Sequence, residues 1–189
     1  MTKRLLIVGP PGSGKGTQAA RITEGLGVVA ISTGDIFRAN VKEMTPLGVE
    51  AKKYMDRGDY VPDSVTNSMV EDRLAQGDVK DGFLLDGYPR TVAQVEFLDG
   101  ALKAKGQDLD AVILLTADED ELVKRLLKRA EIEGRDDDTE DVIRHRLSVY
   151  KEQTADVVAA YRDRRLVREV DGLGELDEVT ARIMDALKA

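Results

Sequence analysis

A glycine-rich segment near the N-terminus carries the residue types that bind phosphate. Residues 9–17 read GPPGSGKGT, follow the apolar run 5–8, and precede a helix-like run that continues to residue 26. Glycines let backbone amides approach phosphate oxygens, and a helix N-terminus adds unpaired N–H groups and the positive end of its dipole. Lys15 supplies a point charge for the outer phosphates. The segment therefore predicts a phosphate-binding loop between a strand and a helix.

Two side chains are candidates for a magnesium site. A generic phosphate loop has Ser or Thr directly after its lysine, but here Gly16 stands there and the hydroxyl of Thr17 follows. Asp86 comes directly after the apolar run 83–85, where a carboxylate can hold nucleotide-bound Mg²⁺ directly or through water. The sequence has no Cys and one His, so a zinc site is not expected.

Polar residues also follow other apolar runs. Thr33 comes shortly after the run 28–31 and is expected to cap the next helix, with Arg38 on its first turns. Asp86 is followed by Gly87-Tyr88-Pro89-Arg90, in which Gly and Pro favour a tight turn. We expect this turn to place Arg90 beside the phosphate loop.

The apolar runs predict the strands of an α/β fold. They are rich in Val, Ile and Leu without polar alternation, which is typical of strands that are buried on both faces. The predicted strands are residues 5–8, 28–31, 83–85, 111–115 and 166–170. Helical stretches separate them, which favours a parallel sheet with helices on both faces and ligands at the carboxyl ends of the strands.

Amphipathic spacing and capping residues predict the helices. The predicted helices are residues 18–26, 36–42, 47–56, 63–75, 119–130, about 139–164 and about 176–187. Asp118 and Glu121 have the spacing of a capping pair for the helix that begins at residue 119. The polar, glycine-containing segment 131–139 is expected to break that helix and form a short mobile loop.

Composition restricts the class of protein. The chain has 189 residues, which is typical of one domain, and 28 basic against 36 acidic residues give a formal charge of −8. This charge argues against binding to nucleic acid or to an anionic membrane surface. No apolar stretch is long enough to cross a membrane, so a cytoplasmic protein is expected. The small domain has no obvious exposed apolar stripe, so a monomer is expected.

The arginines indicate phosphoryl transfer between two nucleotides. Such a transfer needs positioning and positive charge more than covalent chemistry, and guanidinium groups bind phosphate bidentately. A monophosphate acceptor has a second pKa of about 6 and needs no general base. His145 is therefore given no role. The cationic candidates are Lys15, Arg38, Arg90, Arg125, Arg129, Arg135 and Arg146.

These motifs resemble those of the adenylate kinases, of the short-lid bacterial kind, within the nucleoside monophosphate kinases. The resemblance covers essentially the whole chain and rests on residues 9–17, 32–38, 82–90 with Gln94, Arg129, and 135–138 with Arg146. Glycine after the phosphate-loop lysine is the usual residue in this family. The resemblance implies a P-loop three-layer fold with a five-stranded parallel sheet, a helical AMP-binding region at 32–61 and a short lid at 128–138.

The resemblance also assigns residues to two nucleotides. The expected ATP residues are Gly12, Ser13, Gly14, Lys15, Gly16 and Thr17, with Arg129 over ATP and the backbone of Gly174 near the adenine. The expected AMP residues are Thr33, Arg38, Asp59, Tyr60, Val61, Gly87, Tyr88, Pro89, Arg90 and Gln94. Arg135 and Arg146 are expected to close on the transferring phosphoryl group and AMP, and Arg125 matches a further ATP-side arginine. The resemblance leaves the roles of Asp137 and Asp138 open.

The implied reaction is the reversible, Mg²⁺-dependent conversion of ATP and AMP into two ADP. The Gln94 amide can donate and accept in one plane, which matches the adenine amino group and a neighbouring ring nitrogen. Thr33 also favours AMP, because related pyrimidine monophosphate kinases typically have Ala there. Two alternatives stay open: a kinase for UMP, CMP or another monophosphate, and a nucleotide-binding switch without turnover.

Overall fold

The fold is built on a five-stranded parallel sheet. The computed structural model describes residues 3–56, 61–134 and 138–189, without the side chain of Met55. The strands are β1 (Lys3–Val8), β2 (Val29–Ser32), β3 (Gly82–Asp86), β4 (Ala111–Thr116) and β5 (Val167–Asp171). They lie in the order β2-β3-β1-β4-β5, and every neighbouring pair is parallel. All five predicted strands are confirmed, with ends shifted by one or two residues.

Eight α-helices lie within the described ranges. They are α1 (Lys15–Leu26), α2 (Thr33–Lys42), α3 (Pro46–Met55), α4 (Asp63–Leu74), α5 (Val92–Lys103), α6 (Glu119–Glu133), α7 (Glu140–Asp163) and α8 (Leu176–Ala186), with a short 3₁₀ helix at Gly77–Val79. None of the described helices is both long and apolar enough to cross a membrane.

The helices cover both faces of the sheet, as the apolar strands require. Alternate residues of β1 point to opposite faces, so Leu5 and Ile7 pack in one apolar cluster and Leu6 packs in another. The cluster with Leu5 includes residues of α1 and α8, whereas the cluster with Leu6 includes residues of α2 to α5 and the C-terminal half of α7. This is the three-layer arrangement that the sequence predicts.

A third apolar cluster stands apart from these two. It joins α6 to the N-terminal half of α7 through Leu122, Val123, Leu126, Ile143 and Leu147. Asp118 accepts a hydrogen bond from the Glu121 amide at 3.1 Å and so caps α6, as the sequence predicts. The small cluster therefore holds α6 and the start of α7 together as a corner with its own apolar core.

Three differences from the sequence-based prediction concern the cap of α2, the end of α6 and the whole of α5. Ser32 caps α2 by accepting from the Asp35 amide, so Thr33 is the first helical residue and is not the cap. Helix α6 continues to Glu133, because the residue that ends it is Gly134, in the left-handed conformation with φ 64°. Helix α5 was not predicted, although Val95, Leu98 and Leu102 have helical spacing.

The strand order determines where a ligand can bind. The chain passes from β1 to β2 on one side of the sheet and places β4 on the other side of β1. In open α/β sheets, such a reversal leaves a crevice at the carboxyl ends of the strands. The loop after β1, the turn after β3 and the start of α6 all lie at this edge.

The buried hydroxyl of Tyr161 lowers the stability of the fold, because it has no hydrogen-bond partner among the described residues. Tyr161 has no exposed surface, and its hydroxyl has no partner among the described residues. We expect Tyr161→Phe to raise the free energy of unfolding by about 1 kcal/mol, because an unpaired buried polar group is removed. The expected rise in Tm is about 2–4 °C for a domain of this size.

The matched control is Tyr88→Phe. Tyr88 is also buried, but its hydroxyl donates to Asn67 Oδ1 at 2.6 Å. This substitution should destabilise the protein, since it leaves the Asn67 oxygen without its donor. Calorimetry of both variants provides the comparison, and a lower Tm for Tyr161→Phe would contradict the prediction.

Candidate active site

Two adjoining pockets open at the carboxyl edge of the sheet. The first, of about 730 Å³, is bounded by the loop after β1, the turn after β3 and one face of α7. The second, of about 750 Å³, lies between α2, the starts of α4 and α5, and α7. Both pockets are lined by Gly87, Tyr88, Arg90 and Gln153. The two pockets are therefore halves of one cleft that meet at the turn after β3.

The loop after β1 presents backbone groups to the first pocket. Gly12 and Gly14 have φ angles of 82° and 79°, in the left-handed region that favours glycine. Gly14 is the N-cap of α1 and no side chain caps this helix, so its first N–H groups and its dipole face the pocket. The loop has the features of an anion site, as the sequence predicts.

A buried hydroxyl in the same loop lacks a partner. Ser13 is only 2% exposed, and its Oγ makes no hydrogen bond to any described residue. The Ser13 amide donates to Pro10 O at 3.1 Å, which closes the turn of the loop. Because Ser13 lines the first pocket, a ligand bound there can supply the missing partner.

Lys15 is paired with the carboxylate at the end of β3. Its Nζ lies 2.7 Å from Asp86 Oδ1, and both side chains are mostly covered. The contact is an ion pair without hydrogen-bond geometry, so Asp86 Oδ1 has no hydrogen-bond donor in the described part of the chain. Thr17 lines the first pocket from the first turn of α1. The two predicted metal-binding side chains therefore lie on neighbouring elements.

The predicted arginines occupy different positions around the first pocket. Arg90 and Arg129 line it directly. Arg146 also lines it and donates from Nη1 to Oδ1 of the buried Asp138 at 2.5 Å. Arg125 donates to the carbonyl oxygen of Gly12 at 3.4 Å and so contacts the loop from behind. Arg135, like Asp137, lies outside the described residues.

The second pocket gathers most of the residues that the sequence assigns to a second nucleotide. Its lining includes Thr33, Val61, Gly87, Tyr88, Arg90 and Gln94. Pro89 lines the first pocket instead. Asp59 and Tyr60 lie outside the described residues. Two other predicted residues are not part of the lining as described: Arg38, which pairs with Asp35 at the surface, and Gly174, in the turn before α8.

Gly87 allows a close approach between the two predicted binding segments. Its φ is 88°, and a Cβ at this position would stand 2.7 Å from Thr33 Oγ1. Thr33 Oγ1 in turn donates to the carbonyl oxygen of Asp86 at 3.5 Å. The turn after β3 can therefore lie against the start of α2 only without a side chain at this position.

Two tyrosines that line the first pocket have raised pKa values. Burial raises the pKa of Tyr88 far above its ordinary value, with smaller contributions from the Tyr161 and Asp63 side chains. Burial likewise raises the pKa of Tyr150 to about 12, against a smaller opposing effect of Thr154. Burial thus reinforces the neutral form that a tyrosine with its ordinary pKa of about 10 already has at physiological pH.

Helix α7 contributes residues that the sequence reasoning missed. His145, Arg146, Val149, Tyr150, Gln153 and Thr154 line the first pocket. Only Arg146 among them was predicted, although positions 146, 149, 150 and 153 have the spacing of one helix face. Asp63 was predicted only as a helix start, but it lines the second pocket and contacts Gln94.

Known proteins with similar sequences are adenylate kinases. The adenylate kinase family model matches residues 7–166. The chain is 70% identical to the adenylate kinase of Kocuria rhizophila over 98% of both chains. It is 67% identical to that of Pseudarthrobacter chlorophenolicus over 98% of this chain and 97% of the relative. For Micrococcus luteus the identity is 62% over 97% of this chain and 90% of the relative.

The close approach at Gly87 predicts that this position does not tolerate a side chain. We expect Gly87→Ala to lower the free energy of unfolding by about 1–3 kcal/mol, because it combines backbone strain with a contact against Thr33. Urea denaturation measures the change.

A glycine with open space around it provides the control. Gly77 has no heavy atom within 4 Å of an added Cβ, so Gly77→Ala should change stability by less than about 1 kcal/mol. Equal stability of the Gly87 and Gly77 variants would show that the turn accommodates a side chain.

Proposed function

This chain belongs to the adenylate kinase family and is an ATP:AMP phosphotransferase, and we propose that the two pockets hold its two nucleotides. ATP occupies the first pocket, with its phosphates on the loop from Gly12 to Thr17, and AMP occupies the second. The observation that carries this proposal is the shared lining. Arg90 borders both pockets, so it lies where a phosphoryl group must pass from one nucleotide to the other.

The chain's own groups account for the transfer. An oxygen of the AMP phosphate forms a bond to the terminal phosphorus of ATP, while the bond from that phosphorus to the bridging oxygen of ADP breaks. The acceptor oxygen is already ionised near neutral pH, so no proton has to be removed. Lys15, Arg90, Arg129 and Arg146 offset the charge on the transferring oxygens and hold the two phosphates in line.

The residues present also fit a magnesium ion that arrives with ATP. Ser13 Oγ is a buried oxygen without a hydrogen-bond donor, and Asp86 Oδ1 is paired only with the Lys15 ammonium, which is free to move to the phosphates; hard oxygen ligands are what Mg²⁺ prefers. Within residues 3–56, 61–134 and 138–189, no cluster of three or more His, Cys, Asp or Glu could hold a metal. Substrate phosphates therefore supply the remaining ligands. When bound, the ion neutralises charge on the phosphates; Asp86 and Thr17 hold it directly or through water.

Several predicted residues need a different arrangement to reach a nucleotide. Arg38 pairs with Asp35 and Arg146 pairs with Asp138, so each arginine exchanges a carboxylate for a phosphate when substrate binds. Arg125 acts on the ATP side through the loop that it contacts. We keep Arg135, Asp59, Tyr60 and the backbone of Gly174 in the proposal on the family resemblance.

We further propose a domain organisation and a location. Residues 32–61 form the AMP-binding region, and 128–138 form a short lid that needs no zinc, since the sequence has no Cys. The protein acts as a cytoplasmic monomer; the absence of Cys is compatible with a reducing compartment, and the charge of −8 disfavours nucleic acid and anionic membrane surfaces as partners.

A panel of acceptors tests the proposed substrate pair. With Mg·ATP as donor, we expect AMP to give the highest kcat/KM, well above CMP and UMP, because the Gln94 amide matches adenine. A coupled assay measures ADP, and parallel reactions with EDTA should show no transfer. Higher turnover of CMP or UMP than of AMP would support the pyrimidine alternative, and no turnover with any acceptor would support the switch.

Substitution of the shared arginine tests the transfer site. We expect Arg90→Ala to lower kcat on the order of a thousandfold, because a charge beside the transferring group is lost. The side chain is exposed, so the fold should persist. The control is Arg162→Ala, which removes an exposed arginine paired with Glu169 away from both pockets and should leave kcat within about twofold. Wild-type turnover in folded Arg90→Ala would contradict the assignment.

A further inference from the structure

The Gln94 amide is held at both ends by protein groups. Its Oε1 accepts from the backbone N–H of Arg90 at 2.7 Å, and its Nε2 donates to Asp63 Oδ1 at 2.8 Å. A backbone N–H can only donate, and a carboxylate can only accept. The two contacts therefore permit one orientation of the amide, with its oxygen toward Arg90 and its nitrogen toward Asp63.

Asp63 is itself fixed between two helix starts. It is the first residue of α4, where a carboxylate is favoured by the helix dipole. Its Oδ2 accepts from Thr91 Oγ1 at 3.4 Å. Thr91 in turn caps α5, because its Oγ1 accepts from the backbone N–H of Gln94 at 3.2 Å. The acidic group thus lies in a defined position beside Gln94, which is only 6% exposed.

Each end of the amide keeps one hydrogen-bonding site for a ligand. A primary amide has two N–H donors and two oxygen lone pairs, and the protein uses one of each. Gln94 lines the second pocket, so the remaining donor and lone pair are available to a base there. The orientation of the amide then determines which base edge is complementary.

Adenine differs from the 6-oxo purines in the group attached to ring carbon 6. Adenine carries an amino donor there, whereas guanine and hypoxanthine carry a carbonyl acceptor. The held orientation of Gln94 pairs its oxygen with the adenine amino group. For a 6-oxo purine the amide must turn over, which would place Oε1 against the Asp63 carboxylate and its NH₂ against the Arg90 N–H.

We propose that Asp63 is a specificity-determining positioning residue, which holds the Gln94 amide in the orientation that accepts AMP and excludes GMP. The inference rests on the proposed function, in which AMP occupies the second pocket. Asp63 disfavours GMP as well as favouring AMP. Binding of GMP would require Gln94 Oε1 to face the Asp63 carboxylate, and these two acceptors repel each other. The glutamine alone could serve either purine; the carboxylate beside it makes the choice.

The test replaces the acceptor-only group by one of similar shape. The side-chain amide of Asp63→Asn can face Gln94 with either its oxygen or its nitrogen, so one of the two penalties for amide reversal disappears. We expect the ratio of kcat/KM for GMP to that for AMP to rise about tenfold or more. KM for AMP should increase, while KM for ATP should stay within twofold.

A second carboxylate in the same pocket provides the matched control. Asp156 also lines the pocket, but no hydrogen bond among the described residues joins it to Gln94. Asp156→Asn removes the same charge and should leave the GMP-to-AMP ratio within twofold. Asp63→Ser, assayed in parallel, removes the acceptor-only group with a smaller side chain and should also raise the ratio.

The outcomes separate this inference from the proposed function. A folded Asp63→Asn or Asp63→Ser variant with an unchanged ratio, in an enzyme that prefers AMP, overturns only the role of Asp63. An equal rise in Asp156→Asn overturns it as well, because the effect is then one of charge alone. Wild-type protein that does not phosphorylate AMP overturns the proposed function itself.

Discussion

Parallel pairing of β1 with β3 places Ile7 opposite Asp86, and the charged groups of the cleft are arranged around this register. Both strands end at the same edge, so the phosphate loop and the turn with Arg90 leave the sheet side by side. The ion pair between Lys15 and Asp86 joins the start of α1 to the end of β3. A different register would separate the lysine from the carboxylate and the loop from the turn.

The cleft concentrates positive charge on a protein whose formal charge is −8. Two of these cations are paired with carboxylates of the chain itself, Lys15 with Asp86 and Arg146 with Asp138, and Arg38 is paired with Asp35 at the surface outside the pocket lining. Asp138 is buried and the Arg146 side chain is 53% exposed, so the contact fixes the guanidinium at the surface of the pocket without burying its charge. Binding of a phosphate then replaces one anionic partner by another. In the absence of ligand, these carboxylates therefore reduce the electrostatic repulsion between neighbouring cations.

The sequence predicted the parts of this arrangement that depend on local pattern. Apolar runs located all five strands within two residues, and glycine spacing located the phosphate loop. The turn after residue 86 was predicted to place Arg90 beside the phosphate loop, and in the structure Arg90 lines the first pocket together with that loop. These features follow from short segments, because a strand ends and a loop begins within a few residues.

Contacts between distant segments were not predictable in this way. The bond from Gln94 to Asp63 joins residues 31 positions apart and depends on how α4 packs against α5. Local pattern identifies Asp63 only as a helix start. The residues of α7 that line the cleft were missed for a similar reason, since a charged helix face gives no sign of which neighbour it approaches. Helix α6 extends past its predicted end because Gly134, and not the polar run before it, reverses the backbone.

The third apolar cluster makes the α6–α7 corner a unit of its own. One helix, α7, belongs to two cores: Ile143 and Leu147 lie in the small cluster, while Val157 and Tyr161 lie in the large one. A corner held by few apolar side chains opens locally at a lower free energy than the whole domain. Arg129 and Arg146 belong to this corner. The free energy needed to order the corner therefore lowers the affinity for nucleotides that bind these arginines. We therefore expect the amide protons there to exchange with solvent sooner than those of β1, and their exchange to slow when both pockets are filled.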